Sequence, residues 1–162
     1  MRFLWAVAAL VLAGSVATAC GQDELGSPNQ QMSTWVRGTA FTDVVGTLRS
    51  DVDKAASLLA SNPAAAQVHT VCGVLLVEVQ AANSGLPSPD KTTTPLLSSA
   101  YHSLQDAATY CYDAVGNPTS ASKFSGARSA GLARLSEAQL EVESLLGTRL
   151  HVTTTTSPST RG

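Results

Sequence analysis

Apolar residues recur through the middle of the chain at alternating steps of three and four. From about Thr34 to Ala60 the stripe is Phe41, Val44, Val45, Leu48, Val52, Ala55 and Leu59. From about Pro63 to Asn83 it is Val68, Cys72, Leu75, Val79 and Ala82. From about Pro95 to Val115 it is Leu97, Ala100, Leu104, Ala108, Cys111 and Val115, and from about Thr119 to Leu146 it is Phe124, Gly131, Leu135, Ala138, Val142 and Leu145. Such spacing puts the residues of each stripe on one side of an α-helix, and stripes this narrow suit helices that bury one side against each other. No segment sustains alternation at period two, so no sheet is expected.

Local chemistry sets the boundaries. A residue able to cap a helix precedes proline at Ser27-Pro28, Asn62-Pro63, Thr94-Pro95 and Asn117-Pro118. The Ser, Asn or Thr oxygen accepts from an otherwise unpaired N–H of the first turn, and proline, lacking an N–H, is tolerated at the first helical position. Helical periodicity follows the last three pairs at once. After the first pair it is delayed, so the first helix is expected to begin only near Ser33. The links between the first and second and between the third and fourth helices are very short, which makes those helices antiparallel neighbours. The segment Ser84–Thr94, with Gly85, Pro87 and Pro89, gives the middle pair a longer connection. The simplest arrangement is all-α: an antiparallel up-down-up-down four-helix bundle over residues 32–148. A polar stretch over 20–31 is expected to be a tether, and the Thr/Ser-rich residues 149–162 a disordered tail.

Cys72 and Cys111 fall on the stripes of consecutive helices. Cys72 lies about twelve residues before the end of its helix and Cys111 about sixteen after the start of the next, so their levels differ by roughly 6 Å at 1.5 Å per residue. The uneven connection can absorb that offset, so one interhelical disulfide is expected. On a chain-entropy argument it would stabilise the fold by about 4 kcal/mol. A redox-active pair would need a close Cys-x-x-Cys, which the sequence lacks.

Residues 1–19 have the marks of a signal peptide: Arg2, an apolar run from Phe3 to Val16, and the small-residue cleavage segment Ala17-Thr18-Ala19. As a permanent span the run is short, since crossing a bilayer takes about 20 apolar residues. Val16-Ala17-Thr18-Ala19-Cys20 resembles a bacterial lipobox, with Ala17 where leucine is most common. The resemblance covers only the first twenty or so residues. It implies cleavage before Cys20, acylation of that cysteine, and attachment to the outer face of the bacterial cell membrane. Cysteine arithmetic points the same way: of three cysteines, two pair and Cys20 is left over; the alternative is a secreted form whose Cys20 is free or bonded to another molecule.

Composition excludes more than it suggests. Charged residues make up 14% of the 162, and the net charge is −2, so there is no clustered basic surface to neutralise nucleic-acid phosphates. His102 and Asp106, four apart, could contribute two ligands to a metal, but two do not make a site. Glu137 and Glu141, like charges four apart, fit a solvated surface. The Glu-x-x-His of carboxylate di-iron bundles is absent. Tyr101, His102, Tyr110 and Tyr112 cluster in sequence and include types that ligate haem iron; as amphipathic residues they are equally expected to flank the core with polar tips outward. Ser129, within Ala127-Arg128-Ser129-Ala130-Gly131, lies inside a helical repeat, where a nucleophile elbow would need a strand and a sharp turn. His69 borders the stripe of its helix. Trp35 and Val36 precede the first stripe and are expected to cover one end of the bundle, the alternative being a place at a membrane or partner surface. No catalytic motif and no cofactor are expected. The sequence reads as an exported, membrane-anchored, non-enzymatic interaction module whose partner is an envelope protein or cell-wall component. The alternative is a carrier of a small ligand (haem, lipid or metal) in a pocket between helices, where Ala82, Ala100, Ala108, Gly131 and Ala138 could leave space.

Overall fold

A computed structural model describes residues 26–61 and 63–152 of the chain. The expected signal peptide, Cys20, the first part of the tether, and the tail from residue 153 onward lie outside them. The described residues form five α-helices and no strand: α1 (Pro28–Gly38), α2 (Phe41–Ala60), α3 (Ala65–Asn83), α4 (Thr93–Tyr112) and α5 (Pro118–Leu146). The fold is all-α, as the periodicity predicts. α4 packs most extensively on α5 and next on α3, while α2 lies against α3 and α5. The stripes supply the core. Val45, Leu48 and Val52 of α2, Leu75 of α3, Leu97 and Leu104 of α4, and Leu135 and Val142 of α5 are fully buried. A disulfide joins Cys72 to Cys111 and ties α3 to α4, with both residues buried and their Cα atoms 5.7 Å apart.

The stretch expected to be one helix over about Thr34–Ala60 is two. Ala40 adopts the left-handed conformation, φ 49° and ψ 39°, between α1 and α2. An L-residue pays roughly 1–2 kcal/mol there. Contacts on either side offset it: the Thr39 N–H and hydroxyl both donate to the Trp35 carbonyl, at 2.9 and 2.8 Å, and close α1. The ring of Trp35 then meets that of Phe41, the first residue of α2, at 5.3 Å between centroids. The apolar stripe begins only at Phe41, so periodicity carries no mark of the break that precedes it.

The edges of the folded part also differ from expectation. α1 starts at Pro28, inside the stretch expected to be tether. Ser27 and Gln30 form a capping box, the Ser27 hydroxyl accepting from the Gln30 N–H and the Gln30 side-chain oxygen from the Ser27 N–H. At the other edge, Leu150 and Val152 pack against the core and the Leu150 N–H donates to Glu143 at 3.1 Å, so folded structure continues past residue 148. α4 begins before Thr94-Pro95 because another residue caps it. One carboxylate oxygen of Asp90 accepts from the Thr92 N–H at 2.8 Å, the Thr93 N–H at 2.6 Å and the Thr93 hydroxyl at 3.0 Å. The Thr94 hydroxyl instead accepts from the Ser88 N–H at 3.0 Å.

Gly131 shows how closely α4 and α5 approach. A Cβ added there would stand 2.7 Å from the Leu104 side chain and 3.2 Å from its backbone nitrogen. At Gly126, one helical stretch earlier on α5, an added Cβ meets nothing within 4 Å. Gly131→Ala is therefore expected to destabilise by about 1–3 kcal/mol despite the better helix propensity of alanine. Gly126→Ala should be neutral or stabilise by up to about 1 kcal/mol. Chemical denaturation of the two variants checks this, and equal effects would contradict the close approach.

Asp90 gives a pH signature. Burial by itself would raise its pKa, but the hydrogen bonds from Thr93 and Thr92 outweigh burial and hold it below the ordinary 3.8. A folded-state pKa below the unfolded value contributes stability that is present above the unfolded pKa and lost as pH falls through the folded one. Asp90→Ala should cost about 0.5–2 kcal/mol at pH 7, as for loss of a helix cap. The gap to the wild type should narrow as pH drops below 3.8, measured by thermal melts across that range.

Candidate functional site

α1 lies across the end at which α3 finishes, α4 begins and α5 stops. The indole N–H of Trp35 donates to the Gly85 carbonyl at 2.9 Å, just past α3. The Asn29 side-chain amide donates to the Leu145 carbonyl at 3.0 Å, one of the last-turn carbonyls that α5 cannot satisfy itself. Met32 is buried beneath the helix. Trp35 thus covers the end, as its position ahead of the first stripe suggests.

Beneath α1 lies a cavity of about 280 Å³, lined chiefly by Trp35, Thr39, Phe41, Val44, Ala82 and Tyr101. Most side-chain donors around it are already engaged. The Trp35 N–H is bonded to Gly85, the Thr39 hydroxyl to Trp35, and the Ser84 hydroxyl to the Ala81 carbonyl. Tyr101 differs. Only 3% of the residue is exposed, although the stripe of its helix passes it by. Side chains on a helix lean toward its N-terminus, which carries the Tyr101 ring toward the α1 end. Burial pushes its hydroxyl up to about 12, and no hydrogen bond among the described residues acts on it. At neutral pH it is therefore an uncharged O–H donor with no protein acceptor among the described residues, at a partly open space lined by both polar and apolar groups.

The other residues singled out from sequence are dispersed. His102 stands exposed 3.8 Å from Asp106, and Glu137 pairs with Arg134 at 2.7 Å. Among the described residues no three His, Cys, Asp or Glu side chains come together as metal ligands would. The sequence cluster of tyrosines and histidine is split: Tyr101 points inward, His102 outward, Tyr110 lies under the Lys123 ammonium at 5.4 Å, and Tyr112 stacks on His69 with centroids 4.1 Å apart. That last pair stands beside the disulfide, one turn before Cys72 and next to Cys111. Ser129 is exposed within α5, while its neighbour Arg128 reaches Asp53 of α2 at 2.7 Å. Of the small stripe residues expected to leave space, Ala82 lines the cavity; Gly131 is filled by Leu104. Sequence reasoning missed Tyr101 as a cavity residue, and its only signal was adjacency to Ala100 on the stripe.

A second feature is the outer face of α3. Val68, Cys72, Leu75 and Val79 point inward. Ala66, Thr70, Val74, Val77 and Ala81, again at steps of three and four, are exposed, Val77 at 64%. The helix carries one charged residue, Glu78, and has the length and mean hydropathy, 1.3, of a membrane span, with 28% of that window buried. Its exposed side mixes Val74, Val77, Ala66 and Ala81 with Gln67, Thr70 and Gln80 and carries no charge, whereas α2 exposes Asp43, Asp53 and Lys54, and α5 exposes Lys123, Arg134 and Glu137. A shallow apolar groove lined by Leu58, Ala66, Thr70 and Val71 adjoins this face where α2 ends.

No protein-family model, curated protein or solved structure matches the chain.

The disulfide generates a direct expectation. Both cysteines are buried, so a chain carrying Cys20→Ala should show no titratable thiol until it is denatured and reduced. Replacing Cys72 and Cys111 together by alanine should cost roughly 2–4 kcal/mol. Two thiols reacting in the native state would contradict the pairing.

Proposed function

We propose that this chain is an exported bacterial lipoprotein, acylated on Cys20 after removal of residues 1–19. It is held at the outer face of the cell membrane and serves there as a non-enzymatic interaction module whose partner is an envelope protein or cell-wall component. In this reading α2 to α5 form an antiparallel up-down-up-down four-helix bundle, and α1 closes one end of it. The address is supported by the cysteine count: Cys72 and Cys111 are joined, which suits an oxidising compartment, and Cys20 is the odd one. Two acyl chains on it give stable anchoring where one is marginal.

The observation that carries the interaction reading is the uncharged outer face of α3, centred on Val74 and Val77. Exposed apolar side chains grouped on one uncharged face mark a contact site. Two measurements test the reading. The intact mass of protein extracted from membranes should equal residues 20–162 plus acyl groups and minus two hydrogens for the disulfide; an unacylated mass sinks the anchor. A photo-crosslinker placed at Val77 in cells should yield one discrete adduct that is absent when it is placed at exposed Ser125 of α5, and identical patterns from both positions sink the contact face.

One observation favours a second reading, carriage of a small ligand: the partly enclosed cavity with its unpartnered Tyr101 hydroxyl.

A further inference from the structure

We propose that the cavity beneath α1 binds an uncharged ring molecule about two fused rings in size, with one oxygen placed to accept a hydrogen bond from the Tyr101 hydroxyl. The inference rests on the carriage reading and gives it a site and a ligand class. Three properties of the cavity define the class.

The first is size. A dry apolar cavity of about 150 Å³ takes a benzene molecule, and this one holds about 280 Å³. The second is charge. None of the residues lining it is ionised at neutral pH, and Tyr101 keeps its proton because burial holds its pKa near 12. An anion or cation entering would lose hydration without meeting a counter-charge. Carboxylates, phosphates and ammonium compounds are thereby disfavoured. The third is the one side-chain donor left free. The side-chain donors of Trp35, Thr39 and Ser84 are engaged with backbone carbonyls, and Tyr101 alone has a free O–H. A ketone, ester, ether or aldehyde oxygen would meet it. The aromatic faces of Trp35 and Phe41, tilted to each other by 43°, offer a ring ligand two edges to lie against.

The test uses the full chain carrying Cys20→Ala, which removes the acylation site, and three probes: naphthalene, 2-acetylnaphthalene and 2-naphthoate. The readout is the indole N–H resonance of Trp35, whose bond to Gly85 borders the cavity. The expected result is that 2-acetylnaphthalene and naphthalene both shift this resonance, and that 2-naphthoate at pH 7 binds at least about tenfold more weakly than the ketone. Tyr101→Phe removes only the unpartnered hydroxyl, so the variant should fold with an unchanged melting midpoint. It should weaken 2-acetylnaphthalene about 5- to 10-fold and leave naphthalene unaffected. Ala81→Leu, at an exposed position on the cavity rim, should weaken both. Equal affinity of the ketone for wild type and Tyr101→Phe, or binding of the naphthoate as tight as the ketone, overturns the proposal. Absence of any shift overturns it too. Native mass spectrometry of membrane-extracted protein separates the two levels of failure. A different bound molecule alongside silent probes rejects the ligand class and leaves carriage standing, whereas no bound mass ends both.

Discussion

The hydrogen bond from the Trp35 indole to the Gly85 carbonyl, 2.9 Å long, governs the geometry of one whole end of the molecule. It fixes α1 across the junction of α3 and α4. The chain then passes from α1 to α2 through Thr39 and Ala40 alone, with Ala40 in the left-handed conformation. The bond also holds the indole above Tyr101 and Val44 at a distance that leaves a cavity between them. Trp suits this role because its large apolar surface covers the end while its one N–H finds a backbone partner.

The rest of the fold answers a different constraint, a core poor in large side chains. Aromatics are 5% of the chain, and much of the interior is alanine and valine. Helices with small inward residues must approach closely if their atoms are to touch, and dispersion contacts fall away steeply across a gap. Gly131 against Leu104 is the plainest instance, and Ala100, Ala107 and Ala108 of α4 and Ala138 of α5 are buried on the same terms. The Cys72–Cys111 bridge adds covalent support where α3 and α4 meet.

The hydrophobic period announced the helical class, the buried faces and the cysteine pair, since each depends on which residues share a side of a helix. What it did not reveal depends on local polar chemistry or on three-dimensional neighbours. The split of the first helix rests on Thr39 folding back on Trp35. The start of α4 rests on Asp90, which lies ahead of the more conspicuous Thr94-Pro95. The early start of α1 was written in Ser27-x-x-Gln30, a capping-box spacing that the delayed apolar stripe obscured. Tyr101 lies beside the stripe of α4, and its burial depends on neighbours from α1, α2 and the end of α3 that the stripe does not reveal. The outer face of α3 was hidden for the opposite reason: a helix with apolar residues on both sides blurs its own period.

α1 contributes a single fully buried side chain, Met32, to the interior, whereas α4 contributes eight buried residues. Stability is unevenly shared in such a structure, and segments with few buried contacts open at lower free energy than the whole. The terminal helix can therefore lift while the disulfide-linked remainder stays folded. Such an excursion breaks the Trp35 and Asn29 hydrogen bonds and uncovers Tyr101. The cavity already opens past the exposed Ala81 with α1 seated, so lifting of the helix would widen an entrance that exists in the seated state.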